Sequence, residues 1–214
     1  GKERVDVRRL NVDLMSFSAH KLHGPMGVGA LFIREGVRID PLIYGGGHER
    51  GLRAGTENVA GAVGFAKAVE LAYAEFDVAV PRMKKMRDGV IKGVLSSVPH
   101  SHLNGHPSRR LCNNAHFRFD RIEGEALVLR LDARGVAAST GSACSSKSLE
   151  PSHVLLAMGL SHVEAHGSLR MTLSRFTTEK EAVYATRQVA PVVAELRAAT
   201  SLTPKMAEHY AKRR

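Results

Sequence analysis

Tryptophan is missing from these 214 residues, and aromatic residues make up only 5% of them. A protein that grips single-stranded nucleic acid by base stacking needs exposed rings, so platforms of that kind are scarce. Cysteine is nearly as sparse, with two residues, Cys112 and Cys144. Neither lies in a C-x-x-C pair, and two thiols do not make a disulfide framework. Free thiols persist in a reducing compartment, which makes a cytoplasmic location the expectation. No apolar run approaches the roughly 20 residues that span a bilayer, so no membrane partner is expected.

What is abundant is positive charge. Lys and Arg number 31 against 21 Asp and Glu, a formal net charge of +10. An acidic partner or nucleic acid would suit that balance. The basic residues are scattered, however, apart from Arg82-Met83-Lys84-Lys85-Met86-Arg87 and the terminal Lys212-Arg213-Arg214. These read as a solvated helix face and a tail, and no nucleic-acid site is expected. With 43% hydrophobic and 24% charged residues the chain has the make-up of a globular protein of one or two domains.

Helical and strand patterns intermix along the chain, which predicts an α/β class. Strands are expected at 12–17 and 27–33, separated by a Gly-Pro turn. The segment 45–55 is too rich in glycine for helix or regular strand. A long helix is expected from Thr56 as N-cap, with Val59, Val63, Ala66, Val69 and Tyr73 at helical spacing. The pattern breaks around Phe76–Pro81, and a domain boundary is placed there, dividing 1–78 from 79–214. A second helix carries Met83, Met86, Val90 and Val94 on one face, and 99–107 reads as a loop. Strands follow at 115–119, from 136 into the cysteine segment, and at 168–174. Helices are expected at 124–132, from Glu150-Pro151 to Met158, and after the capping box Thr178-Glu179-Lys180-Glu181, with Pro191 as a kink. The chain opens at Gly1 and reaches its first strand with no element before it, as the C-terminal part of a longer protein would.

Three residue types carry candidate chemistry. Cys144 lies in Ala137-Ala138-Ser139-Thr140-Gly141-Ser142-Ala143-Cys144-Ser145-Ser146, where no bulky neighbour buries the thiol; a nucleophile that must travel would suit such a segment. Lys21, in Ser18-Ala19-His20-Lys21-Leu22-His23-Gly24-Pro25, is a solvated lysine, a point charge for phosphate, or an amine that condenses with an aldehyde. His20 and His23 have H-x-x-H spacing, but no third zinc ligand accompanies them. The loop Gly45–Thr56 has neither Walker nor Rossmann order, yet Gly55-Thr56 offers N–H groups and a hydroxyl to an anion. Arg170, in an otherwise uncharged strand, would pair with a buried carboxylate of its own protein or hold a substrate carboxylate with its planar fork. Arg175 competes for that role.

Taken together, Ser18-Ala19-His20-Lys21 with Gly24-Pro25, Gly45-Gly46-Gly47-His48-Glu49-Arg50-Gly51-Leu52-Arg53-Ala54-Gly55-Thr56, Ser139–Ser146 with Leu149-Glu150-Pro151-Ser152, and Ala165-His166-Gly167-Ser168-Leu169-Arg170 resemble the NifS/IscS-type cysteine desulfurases. The resemblance runs over essentially the whole chain, in order. It implies the aspartate-aminotransferase-like fold of pyridoxal-phosphate enzymes, with 1–78 completing the large, cofactor-binding domain and 79–214 forming the small domain. It also implies roles. Lys21 would carry pyridoxal 5'-phosphate, with Ser18 and His20 on its phosphate and Thr56 reaching the phosphate of the other subunit of a homodimer. Cys144 would take sulfur from L-cysteine as a persulfide, leaving L-alanine, and could ligate iron–sulfur intermediates during transfer to a scaffold or other acceptor. Arg170 would clamp the substrate carboxylate. The family's segment before the lysine supplies further cofactor contacts that are not found here, so the 214 residues alone are expected to bind the cofactor poorly and to leave sheet edges and apolar surface uncovered. Met26 and Cys112 depart from residues common in the family, lysine and proline. Alternatives are a selenocysteine lyase or aminotransferase on the same fold, and a non-catalytic sulfur carrier that docks on a scaffold. This version of the loops, with Gly-Thr-Glu-Asn after the arginine and Ser-Ser-Lys-Ser after the cysteine, resembles archaeal and bacterial NifS-like members more than mitochondrial ones.

Overall fold

A computed structural model describes residues 1–141 and 151–199. The chain divides into two compact units, Gly1–Ala79 and Val80–Arg214.

In the first unit a one-turn helix that the sequence reading missed, α1 (Val7–Leu10), starts the chain's regular structure. Asp6 caps it by accepting from the N–H groups of Arg8 and Arg9. Strands β1 (Leu14–Ser18) and β2 (Gly29–Ile33) then pair antiparallel, Ser18 opposite Gly29 and Leu14 opposite Ile33. A 3-10 helix, Ala19–Leu22, bridges the two with His23 at φ 64° as its left-handed cap. The helix α2 (Val59–Ala74) begins later than expected. Its cap is Asn58, whose Oδ1 accepts from the Gly61 N–H at 2.9 Å, and Thr56 stays outside the helix behind Gly55 at φ 103°. The face is corrected too. Gly61, Ala68 and Ala72 are buried, whereas Val59 and Val63 are 67% and 65% exposed.

The expected break at 76–81 is helical instead. α3 (Phe76–Ser97) starts directly after Glu75 and runs through Pro81, its sixth residue, where the missing N–H forgoes a bond and the ring crowds the preceding turn, a cost of about 3 kcal/mol that burial further along the helix offsets. The unit boundary falls within this helix. From Val80 onward Met83, Met86, Val90 and Val94 are buried, as their spacing predicts. A short strand β3 (Ser101–Leu103) lies inside the supposed loop 99–107. It pairs with β4 (Asn114–Phe119), followed by α4 (Gly124–Asp132). Helices α5 (His153–Ala157) and α6 (His162–His166) lead into β5 (Ser168–Thr172), and α7 (Glu179–Ala199) follows. The α6 capping box of Ser161 and Glu164 escaped the sequence reading, while that of Thr178 and Glu181 is present as expected. The expected strand from 136 is a single bridge, Ser139 with Arg170.

The sheet order is β3-β4-β5, all antiparallel. Alternation along β4 sorts its side chains: Ala115, Phe117 and Phe119 are buried, with Phe117 opposite Leu169 and Ala115 opposite Met171. They form the core with residues such as Leu127 and Leu131 of α4 and Val189, Val192 and Val193 of α7. Each such fully buried Phe, Leu or Val contributes roughly 1.5–3 kcal/mol. The opposite phase, Asn114, His116 and Arg118, is only half-buried and forms a polar face. That face is what positions the site in this unit.

Candidate active site

The lysine turn is held by small residues. Ala19 is fully buried, and its N–H donates to the Val28 carbonyl at 3.1 Å. The Gly24 N–H donates back to the Ala19 carbonyl at 2.9 Å, closing the turn. A Cβ on Gly24 would stand 3.1 Å from both that carbonyl and the Cβ of Ala68 in α2, and one on Gly64 would meet Pro25 at 2.6 Å. Glycine at both positions therefore lets the turn sit directly on the helix. The Lys2 ammonium donates to the Lys21 carbonyl at 2.8 Å, adding a further tie. With its backbone pinned, the turn presents Ser18, His20 and Lys21 to the outside. The Ser18 side chain makes no capping bond, and none of the three side chains has a partner among the described residues. A hydroxyl and an imidazole there can donate to an oxyanion, and an amine can bond a carbonyl carbon.

Thr56 is exposed in the same unit, next to the left-handed Gly55. In the glycine-rich loop Glu49 and Arg50 both take positive φ, 49° and 59°. Consecutive non-glycine residues in that region are costly and mark a loop shaped for something other than stability.

Arg170 lies in the second unit, in the middle of β5, opposite His116 of β4. Its backbone N–H donates to the Ser139 carbonyl at 2.6 Å, and the Ser139 N–H returns the bond at 3.2 Å. The guanidinium Nη1 donates to the Gly141 carbonyl at 3.1 Å, which leaves Nε and Nη2 without a protein acceptor among the described residues. No carboxylate pairs with it there, so the structural role left open by the sequence, a buried internal ion pair, is not what these residues show. Arg175, the competitor, lies with its guanidinium 4.7 Å over the Phe176 ring. Cys144, together with Leu149 and Glu150 of the same motif, falls outside the described residues. Cys112 is buried in the second unit.

Sequence reasoning missed His116. A cavity of about 390 Å³ is lined by Arg170, His116, Asn114, Asn104, Gly141 and Ser152, among others. Burial, then the nearby charges of Arg170 and Arg110, push the His116 imidazole down to about 4, so it is neutral beside the arginine at physiological pH. Its Nε2 is buried without a hydrogen-bond partner among the described residues, as are Asn104 Nδ2 and Asn114 Oδ1. Arg110 is spent on backbone, donating to the carbonyls of His106, Asn114 and Asn104 and so fixing the 104–114 loop that walls the cavity. The signal for His116 was the polar phase of β4, which only the register with β5 turns into a neighbour of Arg170.

Comparison with known proteins places this chain in a family. The sequence pattern described as "Aminotransferase class-V" matches residues 1–184. The cysteine desulfurase IscS of Methanosarcina thermophila is 52% identical over 96% of this chain and 50% of its own length. Cysteine desulfurase 2 of Trichormus variabilis is 47% identical over 97% of this chain and 52% of its own. Among solved structures, a NifS-like protein superposes with a TM-score of 0.80 at 37% identity, over 91% of this chain and 50% of that one. A NifS-like protein from Rickettsia africae gives the same TM-score at 26% identity. The mixed α/β fold is thus that of the NifS-like proteins, and the chain spans about half the length of the curated relatives it matches. It belongs to the class-V aminotransferase family.

Proposed function

We propose that this chain is the C-terminal part of a pyridoxal-phosphate-dependent cysteine desulfurase, converting L-cysteine to L-alanine with the sulfur retained on Cys144. The observation that carries the reading is the lysine turn. An amine, an imidazole and a hydroxyl are displayed without partners among the described residues, on a backbone clamped by Ala19, Gly24 and Pro25. That donor set fits an aldehyde cofactor bearing a phosphate. Ser18 and His20 would hold the phosphate and Lys21 the aldehyde carbon, with Thr56 offered to the phosphate of a second subunit. When bound, the cofactor supplies an electron sink for the substrate's α-carbon.

The protein's own residues do the rest. Arg170 binds the substrate carboxylate through the Nε and Nη2 donors that no described residue uses. The Cys144 thiolate attacks the substrate sulfur, so the carbon–sulfur bond breaks as the sulfur–sulfur bond forms; the cysteine ends as a persulfide and the substrate as alanine. Residues 1–78 would belong to the cofactor-binding domain and 79–214 to the small domain. A homodimer, an iron–sulfur scaffold or other sulfur acceptor, transient iron–sulfur ligation by Cys144, and a reducing, cytoplasmic setting complete the proposal. No helix among the described residues is long and apolar enough to cross a membrane.

The test uses the native assembly purified through a tag on this chain, with alanine and sulfide measured from L-cysteine. Lys21→Ala is expected to abolish both products and the visible absorbance of bound cofactor. Cys144→Ser is expected to abolish sulfur transfer while that absorbance stays. Sulfur transfer from L-cysteine that survives Lys21→Ala would overturn the enzyme reading in favour of a sulfur carrier. Release untouched by Cys144→Ser would remove Cys144 as the acceptor.

A further inference from the structure

Helices α3 and α7 lie side by side and run in the same direction. Arg82 donates to the Arg175 carbonyl just before α7, Gly93 faces Thr186, and beyond the end of α3 the Arg197 side chain donates to the carbonyl of Pro99 at 2.7 Å. The two helices touch closely at one level. A Cβ on Gly93 would stand 2.5 Å from Thr186 Cγ2, so only glycine permits that approach. One turn earlier Gly89 has nothing within 4 Å of a would-be Cβ, and the helices part around an open groove of about 850 Å³. Most of its lining surface is apolar, supplied by residues such as Met86, Val90, Ala182, Val183 and Ala190. The lining residues run from Arg82 to Ser97 on α3, a length of about 22 Å at 1.5 Å per residue, or four turns of a facing helix.

Cations line this groove. Among the described residues Arg82, Lys85 and Arg187 share the lining with one carboxylate, Glu179. Lys85 and Arg187 make no ion pair or hydrogen bond among the described residues. With Gly93 level with Thr186, Lys85 stands near the start of α7 and Arg187 about nine residues further along, roughly 13 Å away. A floor of apolar groups between two unneutralised cations specifies an occupant with an apolar stripe and carboxylates at matching separation. A second copy of these 214 residues is a poor occupant, because their net charge is +10, to which Lys212-Arg213-Arg214 contribute.

We infer that the α3–α7 groove is a docking site for an acidic amphipathic helix of another protein. Apolar side chains at i, i+3 or i+4 and i+7 would enter the groove between Gly89 and Ala190, and carboxylates about nine residues apart would meet Lys85 and Arg187. The open space at Gly89 lets the partner's backbone approach α3. Nothing in this inference depends on the lysine turn, Arg170 or Cys144, so it stands or falls apart from the proposed reaction.

The experiment is fluorescence anisotropy with the full chain and a labelled, end-blocked 18-residue helix carrying a Leu/Ala stripe flanked by Glu. A twin with Lys for every Glu and a scrambled Glu peptide serve as controls. The Glu helix is expected to bind at one site, at least about tenfold tighter than either control, and to weaken as salt rises. Lys85→Glu with Arg187→Glu, both on the surface, is expected to cost a further tenfold or more. Gly89→Phe, which fills the groove, is expected to abolish binding with circular dichroism unchanged. Should Gly89→Phe misfold, the charge-reversed pair decides alone. Equal binding of the Glu and Lys helices, absence of binding, or indifference to the charge reversal overturns the inference. So does sedimentation showing that the groove pairs two copies of this chain, or displacement of the peptide by dodecanoate at stoichiometric amounts.

Discussion

Replacing Arg170 by alanine isolates the most specific claim made for the second unit. The guanidinium spends Nη1 on the Gly141 carbonyl, and no described residue uses Nε and Nη2, the donors proposed for the substrate carboxylate. Two hydrogen bonds to a charged group contribute about 1.5–3 kcal/mol each, and partial exposure of Arg170 places the pair near the lower end, about 3–4 kcal/mol. At about 1.4 kcal/mol per decade, Arg170→Ala should lower kcat/KM for L-cysteine by roughly 10²- to 10³-fold. The control is cysteamine, which has the thiol and the amine but no carboxylate. Wild-type protein should prefer L-cysteine by a similar factor, and the variant should lose most of that preference because cysteamine has nothing for the arginine to hold. Arg170→Lys keeps the charge without the fork and should fall between the two. The assay is alanine or ethylamine formed from each substrate by the native assembly. An equal fall for both substrates would mean that Arg170 supports the fold around Gly141 and Ser139 and does not read a carboxylate.

Asn58→Ala should cost about 1 kcal/mol of stability in urea denaturation, whereas Thr56→Ala should cost nothing measurable, because only Asn58 caps α2. A Cβ on Gly124 would stand 2.6 Å from the carbonyl oxygens of both His166 and Ser168, so Gly124→Ala should destabilise by about 1–3 kcal/mol despite alanine's better helix propensity. The folded protein holds His116 at about 4 against 6.5 unfolded, so below 6.5 the unfolded chain binds the extra proton and stability is lost as pH falls toward 4. At pH 4.5 that loss is on the order of 2–3 kcal/mol, and urea midpoints should show His116→Asn escaping most of it relative to its own value at pH 7.

Where one local signal spoke alone, it was read correctly. Gly124–Asp132 has an apolar face with no competing breaker, and Ala115 to Phe119 alternates without interruption; both elements form there. Errors arose where two signals competed. Thr56-Glu57 looks like a helix start, but Asn58 also caps and wins because Gly55 holds the preceding backbone in a left-handed turn. Pro81 looks like a break, and as the sixth residue of α3 it forgoes the bond to the Asp77 carbonyl and crowds that turn, but Met83, Met86, Val90 and Val94 reward the helix with burial. β3 is a three-residue strand and too short to show any period. The candidate site divides along the same line. The Ser18–Pro25 turn was legible because a lysine between a strand and Gly-Pro is a local pattern. The pairing of His116 with Arg170 was not, since cross-strand register joins residues 54 apart in sequence.

The first unit sets the terms on which the lysine turn can work. Its buried hydrophobic side chains are alanines: Ala19, Ala54, Ala68, Ala72 and Ala79. Its larger apolar groups are outside, with Leu42 96%, Met26 87%, Tyr44 78% and Val63 65% exposed. Alanine burial contributes little per residue, and β1 and β2 make only a two-stranded sheet, which is marginal by itself in water. A cover over those side chains would add most of such a unit's stability, and the relatives the chain matches are about twice as long. The turn that presents Ser18, His20 and Lys21 is rigid only in so far as α2 is held against Gly24 and Pro25. Covering α2 at Val59 and Val63 and positioning Lys21 are then one event, and a cofactor that binds at the turn should bind more tightly to the covered unit than to the bare one, by the free energy of that coupling.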